Sequence, residues 1–430
     1  MKTFLYTAIL ALASSAHPPA ALADGDYGSV PLRDKEQHLI DTSNELHGYF
    51  ASQAMVYGDE EVLEVVRRVG RDLAPPPTDD YVEYRFFVLR DPSPNAFALP
   101  NGDVYIHTGM LARLRDESQL AGVLAHEINH VAGHHGIVEH RATKKKAITS
   151  MVLSGFGGFG DLINIGLHAS VYGFSRELEQ EADDHAAALL LDSPYDPHAL
   201  PEIFDILAED HEGLNPRIPT MWSTHPDSRA RARTSREQVA QMPRRPRESD
   251  AFELVMHQLR MLTIRDYIQD DYPHTAIALA ESVIERYPNE PELLHVLGDA
   301  WQAMGGRGPL DADELSNRDK RRNARERHRR TREQRLAEQL ETEEGRAAYA
   351  ANLARAEDTY RRALAIDPDF APAWRGLGEV DEQLERPRDA AEAYLRYVRL
   401  APDAADRAIV VRRLEALAGK LKAQENASEL

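Results

Sequence analysis

The chain has 430 residues, 42% of them hydrophobic and 28% charged, with a formal net charge of −20. That length and apolar fraction suffice to bury sizeable cores, which fits a globular chain of two domains. The acidic balance argues against nucleic acid or an anionic membrane surface as the main partner.

The first residues read as a targeting segment. Lys2 is a short basic region, Phe4 to Ala13 an apolar one, and Ala21-Leu22-Ala23 supplies the small residues a signal peptidase reads. Residues 1–23 are therefore expected to be a cleavable signal peptide, since the apolar run is far shorter than the roughly 20 residues that span a bilayer. The sequence contains no cysteine, hence no disulfide framework and no lipid-attachment cysteine. A bacterial periplasm is the expected compartment.

Glu36 to Leu73 is helical in pattern, with an acidic start at Gly58-Asp-Glu-Glu61 and apolar Val62, Val65, Val66 and Val69. Pro75-Pro-Pro77 ends it. Tyr84 to Leu89 is an aromatic, β-branched run suited to a strand. Asn95 to Leu99 is a second extended piece; Pro100-Asn-Gly102 signals a turn, and Asp103 to His107 returns as a strand. Together they predict a small sheet or hairpin.

The chemistry begins at His126-Glu-Ile-Asn-His130, an HExxH pattern. Residues four apart share a helix face, so His126 and His130 can reach one ion while Glu127 leans over its open side. The flanks predict that helix: Asp116-Glu-Ser-Gln119 reads as a capping box, Leu120, Val123, Leu124, Ile128 and Val131 recur at helical spacing, and Gly136 is expected to end it. Gly133 at first suggests the metzincin signature, but that pattern needs a third histidine where this chain has Gly136.

Ile148 to Phe174 is apolar, yet five glycines between Gly155 and Gly166, with Asp161, Asn164 and His168, speak against a membrane span. Helices broken by a flexible loop are expected, either a lid over the cleft or a plain connector. From Ser175 a helix runs through Leu191, rich in carboxylates. A catalytic zinc wants three protein ligands and an open position, and Glu179 and Asp183 share a face, so one can bind the ion while the other fixes a ligand imidazole. On chemistry alone Glu177, Glu179, Glu181, Asp183 and Asp184 all compete. Thr224-His225-Pro226 by itself reads as a turn, followed by a basic helix start that includes Arg231.

Beyond Pro243-Arg-Arg-Pro-Arg247, which looks like a linker, the pattern is helical and repetitive. Tyr360-Arg-Arg-Ala-Leu returns as Tyr394-Leu-Arg-Tyr-Val after 34 residues, the tetratricopeptide spacing, and Leu294-x-x-Leu-Gly298 returns as Trp374-x-x-Leu-Gly378. The latter offset of 80 implies a large charged insertion around 306–350. Its segment Lys320 to Arg335 holds nine Lys/Arg against two Asp/Glu. A solvated helix is the plain expectation there, and peripheral contact with anionic lipid or an acidic partner the alternative.

The HExxH helix, Asn95-Ala-Phe-Ala-Leu-Pro100, Ser175-Arg176, Glu179-x-x-x-Asp183 and Thr224-His225-Pro226 together resemble the HtpX-like zinc metallopeptidases. This gluzincin family includes CAAX prenyl proteases, and the export signal and helical tail resemble its periplasmic BepA-like group. The likeness covers about Glu36 to Arg236 by motif and the tail by architecture only. It implies one zinc per chain held by His126, His130 and Glu179, with Asp183 supporting a ligand. Glu127 is the implied general base of peptide-bond hydrolysis. It also places His225 and Arg231 at the active site, His225 either stabilising the oxyanion or filling the open position of the metal as a latch. Asn95, Ala96, Phe97, Ala98 and Leu99 resemble the family's substrate-binding edge, where an extended peptide adds a strand. His135 matches a histidine common after the family's motif and has only a structural expectation.

The expected fold is mainly α with a small β-sheet: residues 24–245 a metallopeptidase domain, residues 250–425 a tetratricopeptide-like solenoid. The expected role is quality control of unfolded or misfolded envelope proteins, with the repeats docking the outer-membrane β-barrel assembly machinery. A non-proteolytic chaperone or scaffold with a latent or structural zinc is the competing expectation.

Overall fold

The computed structural model describes residues 28–34, 36–143, 174–213, 228–247, 250–308 and 332–428. It is mainly helical, with one three-stranded sheet, and divides into two compact units. Among the described residues the first comprises those up to 212 and residues 228–260, the second residue 213 and those from 261 onward. No helix among the described residues is long and apolar enough to cross a membrane. The predicted signal peptide, the glycine-rich stretch, His225 and most of the basic insertion lie outside the described residues.

In the first unit the stretch expected to be helical from Glu36 to Leu73 is two helices, α1 (Gln37–Ser52) and α2 (Glu60–Leu73). Between them Val56 forms an antiparallel bridge to Leu89. The break has a local cause: Asp59 caps α2, its carboxylate accepting the backbone N–H groups of Glu61 and Val62 at 3.1 Å each. The strands β1 (Arg85–Leu89), β2 (Ala96–Ala98) and β3 (Asp103–His107) lie in the order β1-β3-β2. β2 and β3 form the antiparallel hairpin, whereas β1 runs parallel to β3 in register Arg85 to Asp103.

The central strand β3 is buried along its whole length. On one face Tyr105 stacks between Phe87 and Phe97, with ring centroids 5.2 and 5.1 Å apart, and this row packs on Leu46 and Phe50 of α1. A short helix α3 (Thr108–Leu111) leads to α4 (Glu117–Ala132), which carries the HExxH residues. α4 is buried from Ser118 to Ala132, enclosed by contacts to α2, to β2 and β3, and to α6 (Arg176–Asp192). A helix apolar around its circumference can be stable only when covered on every side. Its N-cap is Asp116, which accepts the Gln119 N–H at 2.9 Å. Gln119 Oε1 reaches back to the Arg115 N–H at 2.8 Å, so the reciprocal bond of the expected capping box falls one residue early.

The expected end of α4 at Gly136 is corrected. The helix stops at Ala132 with Gly133 as C-cap, His134 takes φ +51°, and α5 (His135–Thr143) begins beyond it, enclosing Gly136. A non-glycine residue in the left-handed region needs outside support, and His134 has it. Its imidazole lies 3.1 Å from Tyr81 Oη at Nδ1, and at Nε2 it lies 3.1 Å from Asp79 Oδ2 and 3.2 Å from Thr78 Oγ1. The first unit continues with α7 (Ala199–Gly213), α8 (Ser228–Val239) and the start of α9 (Asp250–Gln269). On α9, the buried Arg260 donates to the carbonyls of Ala112 and Leu114 at 3.1 and 2.7 Å.

The second unit is a succession of packed helices: α10 (Pro273–Ile284), α11 (Pro291–Met304), α12 (Arg332–Gln339), α13 (Glu343–Ile366), α14 (Ala371–Gln383), α15 (Pro387–Leu400) and α16 (Arg407–Ser428). Neighbours pack as α10 on α11, α11 on α13, α13 on α14, α14 on α15 and α15 on α16. The sequence offsets of 34 and 80 meet in one recurring contact. A Cβ on Gly298 would sit 2.4 Å from the Tyr360 ring, and one on Gly378 would sit 2.6 Å from the Tyr394 ring. The same glycine-against-tyrosine contact thus joins α11 to α13 and α14 to α15, and the insertion separates the two members of the earlier pair.

Candidate active site

Three helices of the first unit supply the site. α4 presents His126, Glu127 and His130 on the side facing α6, and α6 presents Glu179 and Asp183 to them. α8 packs on α6 and contributes Arg231. All six side chains are buried. Ser175 caps α6, its hydroxyl accepting the Leu178 N–H at 3.4 Å, and thereby starts the helix one turn before Glu179.

His126, His130 and Glu179 each offer a ligand atom, all within 4.8 Å of one another. The two Nε2 atoms are 3.0 Å apart, and Glu179 oxygens lie 3.5 Å from His126 Nε2 and 3.7 Å from His130 Nε2. A tetrahedral ion with bonds of about 2.0–2.1 Å needs donors about 3.3 Å apart, so these three suit one small cation. Charge points the same way. Glu127, Glu179 and Asp183 are three buried carboxylates facing one buried guanidinium, Arg231, and a divalent cation closes that deficit.

Around the donors, Asp183 Oδ1 lies 2.9 Å from His126 Nδ1. Arg231 holds Asp183 in a two-pronged pair, Nε to Oδ2 and Nη2 to Oδ1 at 2.7 Å each, and its Nη1 lies 2.9 Å from Glu179 Oε2. The guanidinium also sits over the Phe204 ring, 4.5 Å from its centroid. Burial opposes the charge on Asp183, yet Arg231 and His126 outweigh it and hold the carboxyl below its usual range. Burial likewise opposes a charged His126, but the Asp183 and Glu179 carboxylates pull the metal-free imidazole up to about 9. His135 shows the opposite balance, with burial pushing it down to about 4.

Of the residues expected at the site, His126, Glu127, His130, Glu179, Asp183 and Arg231 are brought together. Asn95, Ala96, Phe97, Ala98 and Leu99 lie elsewhere on the same scaffold, as the edge strand β2 and its flanks, buried and adjoining α4. His225 lies outside the described residues. Two contacts had no sequence expectation: Phe174 stacks on the His130 ring at 4.0 Å and 14°, and His135 Nδ1 lies 2.9 Å from His130 Nδ1. The spacing His130-x-x-Gly133-x-His135 was the available signal for the second.

Residues 58–239 match the model of peptidase family M48. Among curated relatives, a putative β-barrel assembly-enhancing protease of Vibrio cholerae is 31% identical over 201 residues, 44% of this chain and 41% of its own length. The mitochondrial metalloendopeptidase OMA1 of Schizosaccharomyces pombe is 29% identical over 53% of this chain and 67% of its own. The metalloprotease YcaL of Escherichia coli is 27% identical over 53% of this chain and 85% of its own. The chain thus spans less than half the length of the Vibrio relative. Residues 58–239, which hold the His-His-Glu set, are thus similar to the metallopeptidases of family M48.

Proposed function

We propose that this protein is a zinc-dependent endopeptidase of the bacterial periplasm that cleaves unfolded or misassembled envelope proteins, outer-membrane β-barrel proteins among them. The observation that carries the proposal is the convergence of His126, His130 and Glu179 on one point, with the Glu127 carboxylate buried beside them. Two imidazoles and one carboxylate form a donor set that zinc takes in peptidases. Zinc held there supplies Lewis acidity, lowering the pKa of water toward about 7 and polarising the scissile carbonyl.

The chain's own residues do the rest. Glu127 accepts the proton of the attacking water and returns it to the departing amine, as general base and then general acid. Asp183 accepts the Nδ1–H of His126 and so keeps the Nε2 lone pair available, while Arg231 anchors Asp183 and limits the negative charge on Glu179. An extended peptide pairs along the edge strand β2, which selects for unfolded chains through main-chain hydrogen bonds more than through side chains. His225 serves either as oxyanion donor or as a latch on the open position.

The recurring glycine-against-tyrosine contact and the 34-residue offset support a tetratricopeptide-like array in the second unit, which would dock the β-barrel assembly machinery. Relatives named β-barrel assembly-enhancing proteases support that setting. A zinc assay of the purified chain, with casein or unfolded porin as substrate, tests the proposal. One zinc per chain and a loss of at least ~100-fold in Glu127→Gln are expected. Absence of zinc, or equal cleavage by wild type and variant, refutes the peptidase; zinc without cleavage favours a latent scaffold.

A further inference from the structure

We propose that His135 is the positioning residue for the ligand His130, its Nδ1 accepting the Nδ1–H of His130. The inference rests on His126, His130 and Glu179 being the metal ligands. A neutral imidazole that offers its Nε2 lone pair to an ion must carry its single proton on Nδ1, and in a buried site that N–H needs an acceptor. For His126 the acceptor is a carboxylate, Asp183 at 2.9 Å. For His130 it is another imidazole: His135 Nδ1 stands 2.9 Å from His130 Nδ1, with the rings edge to face at 76°. Only one proton fits between those nitrogens, so His135 is neutral and carries its own proton on Nε2, which makes no direct hydrogen bond among the described residues and faces the Glu181 carboxylate at 3.8 Å. The two ligand imidazoles are thus held by chemically different acceptors, one anionic and one neutral.

The backbone is shaped to bring this acceptor in. His135 lies only five residues past His130, and a continued α-helix would carry it on round the axis. Instead α4 stops at Ala132, and His134, clamped by Tyr81, Thr78 and Asp79, takes the left-handed φ of +51° that redirects the chain. The returning His135 ring then occupies the space where a side chain at 133 would begin. A Cβ there would stand 2.4 Å from His135 Nε2 and 2.7 Å from its Cδ2, so residue 133 must be glycine. On its other side Phe174 stacks on His130 at 4.0 Å, fixing the ring plane and leaving the hydrogen bond to fix which nitrogen faces the ion.

The test is zinc affinity of the full chain, measured by competition with a chromophoric chelator, beside the histidine nitrogen-15 shifts of the zinc-loaded wild type. His135→Leu keeps an apolar filler but no acceptor and is expected to weaken zinc about 10- to 100-fold. His135→Asn places Oδ1 near the position of Nδ1 and should recover affinity to within roughly threefold of wild type, and Gly133→Ala should behave like the leucine variant. The spectra should show His130 protonated on Nδ1 and His135 on Nε2. Wild type without zinc overturns the ligand assignment itself. Zinc-binding wild type matched by His135→Leu, or Leu and Asn variants weakened alike, overturns the positioning role alone. His130 found protonated on Nε2 overturns it even if no variant folds.

Discussion

Replacing Asp183 by asparagine isolates the contact that ties the candidate metal ligands to the rest of the site. Asp183 is buried, and its Oδ1 serves both His126 Nδ1 at 2.9 Å and Arg231 Nη2 at 2.7 Å, while Oδ2 takes Arg231 Nε at 2.7 Å. An asparagine has one oxygen for these two positions. If the oxygen stays on the His126 side, its NH2 meets the Arg231 Nε–H; if it flips, the NH2 meets the His126 N–H. Breaking a buried pair this way costs about 3–5 kcal/mol. The lower end applies, because Arg231 keeps Glu179 at 2.9 Å. For a domain of this size each kcal/mol moves the melting temperature by about 2–4 °C, so Asp183→Asn should melt about 6–12 °C lower. Its zinc affinity should fall about 10- to 100-fold. Asp184→Asn is the control on the same helix: its exposed carboxylate accepts from Gln180, and the Gln238 bond goes to its backbone carbonyl, so the change should alter stability by under about 0.5 kcal/mol. Circular-dichroism melts and chelator competition measure both. An Asp183→Asn protein that melts within about 2 °C of wild type and binds zinc equally would refute the bridging role.

Three further outcomes follow from the same physics. His126, held at about 9 in the metal-free site, is protonated at neutral pH, so zinc must displace a proton; affinity should fall about tenfold per pH unit below 9, and calorimetry in two buffers should count about one proton released. Glu36, bonded to Arg141 at 2.6 and 2.9 Å, has its carboxyl lowered from 4.5 to about 2 by that arginine. Its contribution is complete above pH 4.5 and disappears as pH falls toward 2. With Arg141 a quarter exposed, about 2 kcal/mol is expected, so the stability difference between wild type and Glu36→Gln should shrink over that window. In the second unit Gly298→Ala should cost about 1–3 kcal/mol by driving a methyl into Tyr360, whereas Gly419→Ala, which meets nothing within 4 Å, should stabilise by about 0.5–1 kcal/mol; equal denaturation midpoints would contradict both.

Much of the candidate site was legible because its central element obeys a local rule. His126, Glu127 and His130 fall within one turn of a helix whose period places them together whatever surrounds it. The strands announced themselves through Phe86, Phe87 and Val88 and through the turn before Asp103, and the repeats through the spacing of Tyr360 and Tyr394. What was read wrongly or not at all depends on distant partners. Glycine chemistry pointed to Gly136 as the end of α4, but a clamp from Thr78, Asp79 and Tyr81 allows His134 to turn the chain earlier. The parallel pairing of β1 with β3 has no local signature, since alternation along a strand does not name its neighbour.

The acidic helix shows the division most clearly. Five carboxylates, Glu177, Glu179, Glu181, Asp183 and Asp184, were equivalent by chemistry, and only family resemblance separated them. In the fold, Glu179 and Asp183 are buried against α4, while Glu177, Glu181 and Asp184 face outward. Sequence by itself determined that a helix with two histidines on one face and a helix of acids exist, because helical period and capping act within a few residues. Which acid meets the histidines, and which nitrogen of each histidine is left to meet an ion, was decided only by tertiary packing. That packing sets the rotation of α6 against α4 and brings Arg231, Asp183 and His135 to the backs of the ligands.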